Sequence, residues 1–110
     1  MPHPNKIEEM PLVKVAALSK LPPNSVSEVM VDGEPYALCN VGGAVRALSG
    51  ICLHMGGPLG QGQIHEGRVV CPYHMWEFDC ATGAYDYDPR RRVPTFEVRV
   101  EGDDVFLQVP

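Results

Sequence analysis

Residues 50–76 read GICLHMGGPLGQGQIHEGRVVCPYHMW. Two of its segments, residues 50–62 and 71–76, are dense in Gly, Pro, Cys and His. A short hairpin over residues 63–71 joins them, so both segments emerge at the same end of one small sheet. We therefore predict two loops that lie face to face.

The rest of the chain alternates short β-rich runs with turn signals, which is typical of a sandwich or small barrel. Strands are predicted near residues 12–17, 26–31, 35–40, 44–48, 63–65, 68–71, 76–79, 95–100 and 105–109. The predicted hairpin turns are Asp32-Gly33, Gly42-Gly43, Glu66-Gly67 and Gly102-Asp103, each with a residue that tolerates positive φ. Residues 16–21 are the one helix candidate, and the prolines that follow would end it. The predicted fold class is all-β, an antiparallel sandwich or small barrel.

A chain of 110 residues can bury one core. We expect a single domain over residues 12–109 and a flexible N-terminus over residues 1–11. The net charge of −5 argues against nucleic-acid binding. The sequence has no run of 18 apolar residues and no apolar N-terminal run, so neither a membrane span nor a secretory signal is predicted. A cytoplasmic location is the resulting expectation.

The four cysteines of a chain without a signal peptide sit among reducing thiols, so metal or cluster ligation is favoured over disulfides. Each dense segment offers one thiol and one imidazole: Cys52 with His54, and Cys71 with His74. Written out, the spacing is CxHx16CxxH.

A zinc ion could use these four ligands, but structural zinc modules usually pair Cys with Cys and His with His on separate knuckles. A binuclear iron–sulfur cluster explains the mixed pairs better, because it needs two ligand sets and soft thiolates suit the buried iron. Cys52 and Cys71 then bind one iron, and His54 and His74 bind the other.

The segments CLHMGGPLG and CPYHMWEFDCATG resemble the two cluster-binding loops of the Rieske family, CxHxGxxL and CPxHGxxF. The resemblance covers roughly residues 12–109. It implies one Rieske-type [2Fe–2S] cluster, a β-rich fold with a cluster-binding subdomain near residues 50–80 at one tip, and one-electron transfer. Carried over by position, Cys52 and Cys71 match the ligands of the buried iron, and His54 and His74 match those of the outer iron.

Two departures from the family pattern are informative. Rieske proteins of respiratory complexes carry an additional disulfide-forming Cys in each loop, where this chain has Gly57 and Tyr73. The sequence therefore resembles the disulfide-free, oxygenase-associated branch. Met75 stands where the family usually has Gly, and a positive φ at that position would strain a Met.

The resemblance implies a soluble one-electron carrier between a flavoprotein reductase and a terminal enzyme, such as a ring-hydroxylating oxygenase. On this view the chain is an electron-transfer component of a multicomponent oxidoreductase, not an enzyme itself. One alternative is a small subunit of another redox enzyme, since WEFDCATG also resembles the small subunits of assimilatory nitrite reductases. Another is a zinc-stabilised interaction module without redox function.

The remaining chemistry-bearing residues receive simpler interpretations. Cys39, Cys80, His3 and His65 are predicted as core residues. Strand alternation places Trp76 and Phe78 on a packed face beneath the cluster. The residues expected to form an apolar docking face are Met55, Pro58, Leu59, Pro72, Tyr73 and Met75. Residues 86–92, DYDPRRR, are either a solvated turn or a partner-facing clamp.

Overall fold

The computed structural model describes residues 11–110. Residues 1–10, with His3 and nearly all of the segment predicted to be flexible, lie outside this part. The described strands are β1 (Leu12–Ala17), β2 (Ser25–Val31), β3 (Glu34–Val41), β4 (Ala44–Ser49), β5 (Gln63–His65), β6 (Arg68–Val70), β7 (Glu77–Asp79), β8 (Thr95–Phe96), β9 (Val98–Glu101) and β10 (Asp104–Gln108). Two short 3-10 helices cover Leu18–Lys20 and Leu59–Gln61.

The strands form three antiparallel sheets, with the orders β1-β10-β9, β2-β3-β4-β8 and β5-β6-β7. The predicted all-β antiparallel class is confirmed. Within residues 11–110 no helix is long and apolar enough to cross a membrane.

Strand β3 is covered on both faces, because its alternate side chains enter two different cores. Tyr36 and Leu38 pack with Val105 and Leu107 of the β1-β10-β9 sheet. Ala37 and Cys39 point the other way, into a core shared with the β5-β6-β7 sheet. The central sheet is therefore the middle layer, and the small sheet that carries the Cys and His loops rests on its second face.

The predicted hairpin turns are present. Asp32-Gly33, Gly42-Gly43 and Glu66-Gly67 are two-residue connections in which both residues have positive φ, from 51° to 98°. Such turns match the right-handed twist of the strands that they join. In Gly102-Asp103 the glycine has the positive φ, 61°.

Two predicted elements were wrong in detail. The single strand expected over residues 95–100 is divided at Glu97: β8 pairs with β4, and β9 pairs with β10. The inward alternation of Phe96 and Val98 continues through the break, so the sequence pattern does not reveal the change of partner. The helix candidate at residues 16–21 is only the 3-10 turn Leu18–Lys20, since Ala16 and Ala17 already pair within β1.

Candidate metal centre

The two Cys and His loops fold by the same backbone hydrogen bonds. In the first loop (residues 50–62), Cys52 N–H donates to the carbonyl of Gly57 at 2.8 Å, and Gly56 N–H donates to the carbonyl of Cys52 at 3.2 Å. In the second loop (residues 71–76), Cys71 N–H donates to the carbonyl of Trp76 at 2.8 Å, and Met75 N–H donates to that of Cys71 at 3.0 Å. In each loop the backbone of the cysteine therefore both donates and accepts a hydrogen bond that closes the turn.

These turns place the thiols inside and the imidazoles outside. Cys52 and Cys71 are 2% and 1% exposed, and both belong to the core beneath the loops. His54 is half-buried and His74 is exposed, with their ring centroids 4.6 Å apart. The structure thus brings all four predicted ligand residues together, with two thiols below and two imidazoles above.

The side chains fit an iron–sulfur group in this position. His54 Nδ1 is buried and is the only such side-chain N or O atom among residues 11–110 without a hydrogen-bond partner. A nitrogen buried in this way is costly unless it binds something. No three His, Cys, Asp or Glu side chains in the same part of the chain converge as a single-ion site. Each of the two turns supplies one thiol and one imidazole, and these are the donor types that an iron–sulfur cluster with histidine ligands uses.

The Cys52 thiol is harder to deprotonate than an ordinary cysteine. Burial raises the pKa of Cys52 to about 11, the His54 N–H, 3.3 Å from its sulfur, lowers it, and the Cys71 thiol raises it. The free thiol therefore holds its proton at neutral pH. Because the thiolate is the ligand form, loading of this site releases protons.

The two loops touch at Gly57. A Cβ added at this residue would lie 2.5 Å from the Cys71 sulfur and 3.0 Å from the Tyr73 ring. Only a residue without a side chain fits between the loops here. Gly60 packs against β2, where an added Cβ would meet the Glu28 backbone at 2.6 Å.

Residues 11–97 match the family described as the Rieske [2Fe-2S] domain. The chain belongs to this family. The Rieske family carries an iron–sulfur cluster, so the match favours this group over the zinc alternative for the Cys and His loops.

Individual ferredoxins are similar to this chain over about nine tenths of its length. The ferredoxin component of biphenyl 2,3-dioxygenase from Rhodococcus jostii (strain RHA1) is 33% identical over 102 residues, 91% of this chain and 94% of that protein. The solved ferredoxin of carbazole 1,9a-dioxygenase from Nocardioides aromaticivorans IC177 is 30% identical with a TM-score of 0.81, and the match covers 90% of this chain and 98% of that one. A chain in a solved complex of reduced oxygenase and oxidized ferredoxin in carbazole 1,9a-dioxygenase is 28% identical with a TM-score of 0.81, covering 90% and 94%.

The cysteines outside the loops behave as predicted. Cys39 and Cys80 are 0% and 2% exposed, and both lie in the core under the Rieske loops. Their thiols contact each other, and this contact together with burial raises the pKa of Cys39.

Two other residues were placed wrongly by sequence reasoning. His65 is exposed, with its Nδ1 3.4 Å from Glu77 Oε1, because it occupies an outward position of β5. Leu59 is fully buried rather than part of the docking face, because the 3-10 turn that begins with it directs its side chain into the core. We define the apolar tip by the exposed large apolar residues of the two loops: Ile51, Leu53, Met55, Tyr73 and Met75.

Met75 has the conformation that the sequence pattern suggested would be strained. Its φ is 63°, and Gly56, which donates the equivalent hydrogen bond in the first loop, has a φ of 69°. A side chain in this left-handed region is unfavourable by about 1–2 kcal/mol. Met75 therefore occupies a position for which glycine is the natural residue.

We expect Met75→Gly to raise the free energy of unfolding by about 1 kcal/mol, because the relief of strain exceeds the added flexibility of the unfolded chain. Chemical denaturation measures the change. Met30→Gly is the matched control, since Met30 is also exposed but lies in β2 without a positive φ. That variant should lose stability, and a loss in both variants would show that Met75 is not strained.

Proposed function

We propose that Cys52, His54, Cys71 and His74 hold one [2Fe–2S] cluster and that the protein is a one-electron carrier. The observation that carries this proposal is the pairing of two buried thiols beneath two outer imidazoles, one of which has an unpartnered buried Nδ1. When bound, the cluster supplies reversible one-electron transfer at a potential raised by its two neutral imidazole ligands.

The protein residues shape access to this site. The buried Cys52 and Cys71 anchor the group to the core, while the exposed His74 lies at the surface where a partner can approach. The apolar tip surrounds the histidines with exposed side chains, including Met55 at 73% and Tyr73 at 59% exposure. Adaptable apolar surface of this kind is typical of a docking face.

The partners that fit are a flavoprotein reductase and the terminal oxygenase of a ring-hydroxylating system. Relatives matched over nearly their full length are named as ferredoxin components of biphenyl and carbazole dioxygenases, and one solved structure is a complex of such a ferredoxin with its oxygenase. The chain is accordingly an electron-transfer component and not the enzyme that acts on the organic substrate.

The domain arrangement that accompanies this function is a single Rieske domain over residues 12–109, with residues 50–80 as its cluster-binding subdomain. The support is that β5, β6 and β7 form a small sheet of their own, from which both loops project. We also propose a cytoplasmic location. Two of the proposed ligands are cysteine thiolates, which a reducing compartment keeps free of disulfides.

Single-turnover transfer tests the carrier function. The protein is loaded with its cluster, reduced with dithionite under anaerobic conditions, freed of excess reductant, and mixed with the oxidised oxygenase of the biphenyl or carbazole system, its aromatic substrate and oxygen. We expect hydroxylated product in proportion to the reduced protein added. Reduced protein that gives no product with ring-hydroxylating oxygenases, but rapidly reduces a different redox enzyme, would assign it to another system.

We expect Tyr73→Glu to slow electron transfer at least about tenfold, because a carboxylate at the centre of an apolar interface loses its hydration without a partner. The absorption spectrum should stay unchanged, since Tyr73 is exposed and is not a proposed ligand. Val100→Glu is the matched control on β9, whose sheet packs against the opposite face of the central sheet. Equal transfer rates in both variants would place the interface away from the apolar tip.

A further inference from the structure

Three aromatic rings form a parallel column that begins at a proposed iron ligand. The His54 imidazole stacks on Trp76, with ring centroids 4.5 Å apart and planes inclined by 15°. Trp76 in turn stacks on Tyr85, at 4.0 Å and 7°. His74 differs, because its described ring contact is an edge-on approach to His54 at 84°.

The base of this column is built by the segment that follows β7. The chain turns after Asp79 and returns beside β7, where Tyr85 bridges to Phe78 and Asp86 N–H donates to the carbonyl of Glu77 at 3.0 Å. Tyr85 is only 9% exposed, and Phe78 behind it is fully buried. The backbone therefore holds Tyr85 in place independently of the two Rieske loops.

Arg91 packs against the side of the column formed by Trp76 and Tyr85. Tyr85 N–H donates to the carbonyl of Arg91 at 2.8 Å. This hydrogen bond places Arg91 next to the stacked rings. The guanidinium carbon lies 5.3 Å from the Trp76 centroid and 5.9 Å from the Tyr85 centroid, within the range of cation–π attraction. Of the charged loop at residues 86–92, Arg91 therefore contacts the column, while Arg90 pairs with Asp88 inside the loop.

We propose that Trp76 and Tyr85, with Arg91 beside them, are positioning residues that hold the His54 imidazole in its ligand orientation before the cluster is bound. This inference rests on the proposed ligand set. A ring stacked on a fixed partner loses rotational freedom in advance, so less freedom remains to be lost when a metal binds. Groups behind a metal ligand commonly control its orientation in this way.

The two imidazoles differ in how firmly the protein holds them. His54 is held by a column that continues into the core through Tyr85, whereas His74 is exposed and is described only in edge-on contact with His54. His54 is then the fixed ligand and His74 the mobile one. Loss of the cluster should begin at His74.

The first test uses metal-free protein, so it does not depend on whether a cluster forms. A ring stacked on tryptophan has its protons shielded by the indole ring current. In the NMR spectrum of wild-type protein, the carbon-bound ring protons of His54 should therefore resonate upfield of those of exposed His65. Resonances of His54 at the positions of His65 would overturn the proposal, even if the loaded protein carries a normal cluster.

The second test compares Trp76→Leu with Trp76→Phe, which retains a ring that can stack. From the strength of aromatic stacking, Trp76→Leu should shorten the half-life of the cluster against an iron chelator roughly two- to tenfold, and it should also shift the paramagnetic signal of the reduced protein. Trp76→Phe should restore both properties to near the wild-type values. Equal half-lives and identical signals in the two variants would refute the positioning role.

Discussion

Cys71→Ser should yield protein with no iron and with the stability of the metal-free wild type. Cys71 is 1% exposed and belongs to the core beneath the Rieske loops, so its sulfur joins the second loop to that core when the cluster is bound. Binding free energy of a group that the unfolded chain cannot hold becomes folding free energy. We expect a fall of at least about 2 kcal/mol in the free energy of unfolding relative to loaded wild type, or about 10 °C in melting temperature.

Cys39→Ala is the matched control, because Cys39 is an equally buried thiol in the same core but is not a proposed ligand. This variant should retain its iron and its absorption spectrum, with a loss of about 1 kcal/mol from the smaller side chain. Circular dichroism melts and iron analysis of both variants supply the measurement. If Cys71→Ser retained iron, or melted with loaded wild type, the second loop would not be tied to the core through a cluster.

Gly57→Ala should weaken cluster binding although it changes no ligand. The added methyl group would lie 2.5 Å from the Cys71 sulfur and 3.0 Å from the Tyr73 ring, so the two loops would have to separate. A sulfur bound to iron has no freedom to move aside. Overpacking typically costs about 1–3 kcal/mol, so we expect the affinity for the cluster to fall roughly tenfold or more, measured as the rate of iron loss to a chelator.

A variant of the neighbouring Gly56 distinguishes the effect of contact between the loops from the effect of backbone strain. Gly56 has a φ of 69°, and an added Cβ there would meet no atom within 4 Å. Gly56→Ala should therefore lower overall stability by about 1 kcal/mol through strain while leaving iron retention near that of wild type. Faster iron loss from Gly56→Ala than from Gly57→Ala would show that backbone conformation, and not contact between the loops, limits binding.

The turns and most strands could be predicted because their causes are local. The pairs Asp32-Gly33 and Gly42-Gly43 tolerate positive φ at two successive residues, and this favours a tight hairpin. The division at Glu97 could not be predicted in the same way. Its cause is a change of pairing partner from β4 to β10, while the alternation of inward side chains is unbroken.

The same distinction applies to the candidate site. The CxHx16CxxH spacing predicts which four side chains should meet, and the structure brings them together in two closed turns. The burial of Leu59 depends on a 3-10 turn that directs it inward, which the dense Gly and Pro around it conceal. The role of Tyr85 was missed because the chain returns along β7 after Asp79, and the spacing of Trp76 and Tyr85 in the sequence does not indicate that their rings stack.

The presence of the cluster can be tested by the metal and sulfide content of protein purified without oxygen from iron-replete cells. A Rieske cluster held by Cys52, His54, Cys71 and His74 predicts about two irons and about two acid-labile sulfides per chain, with no stoichiometric zinc. One zinc per chain, with neither iron nor sulfide, would show that these four residues do not hold a Rieske cluster.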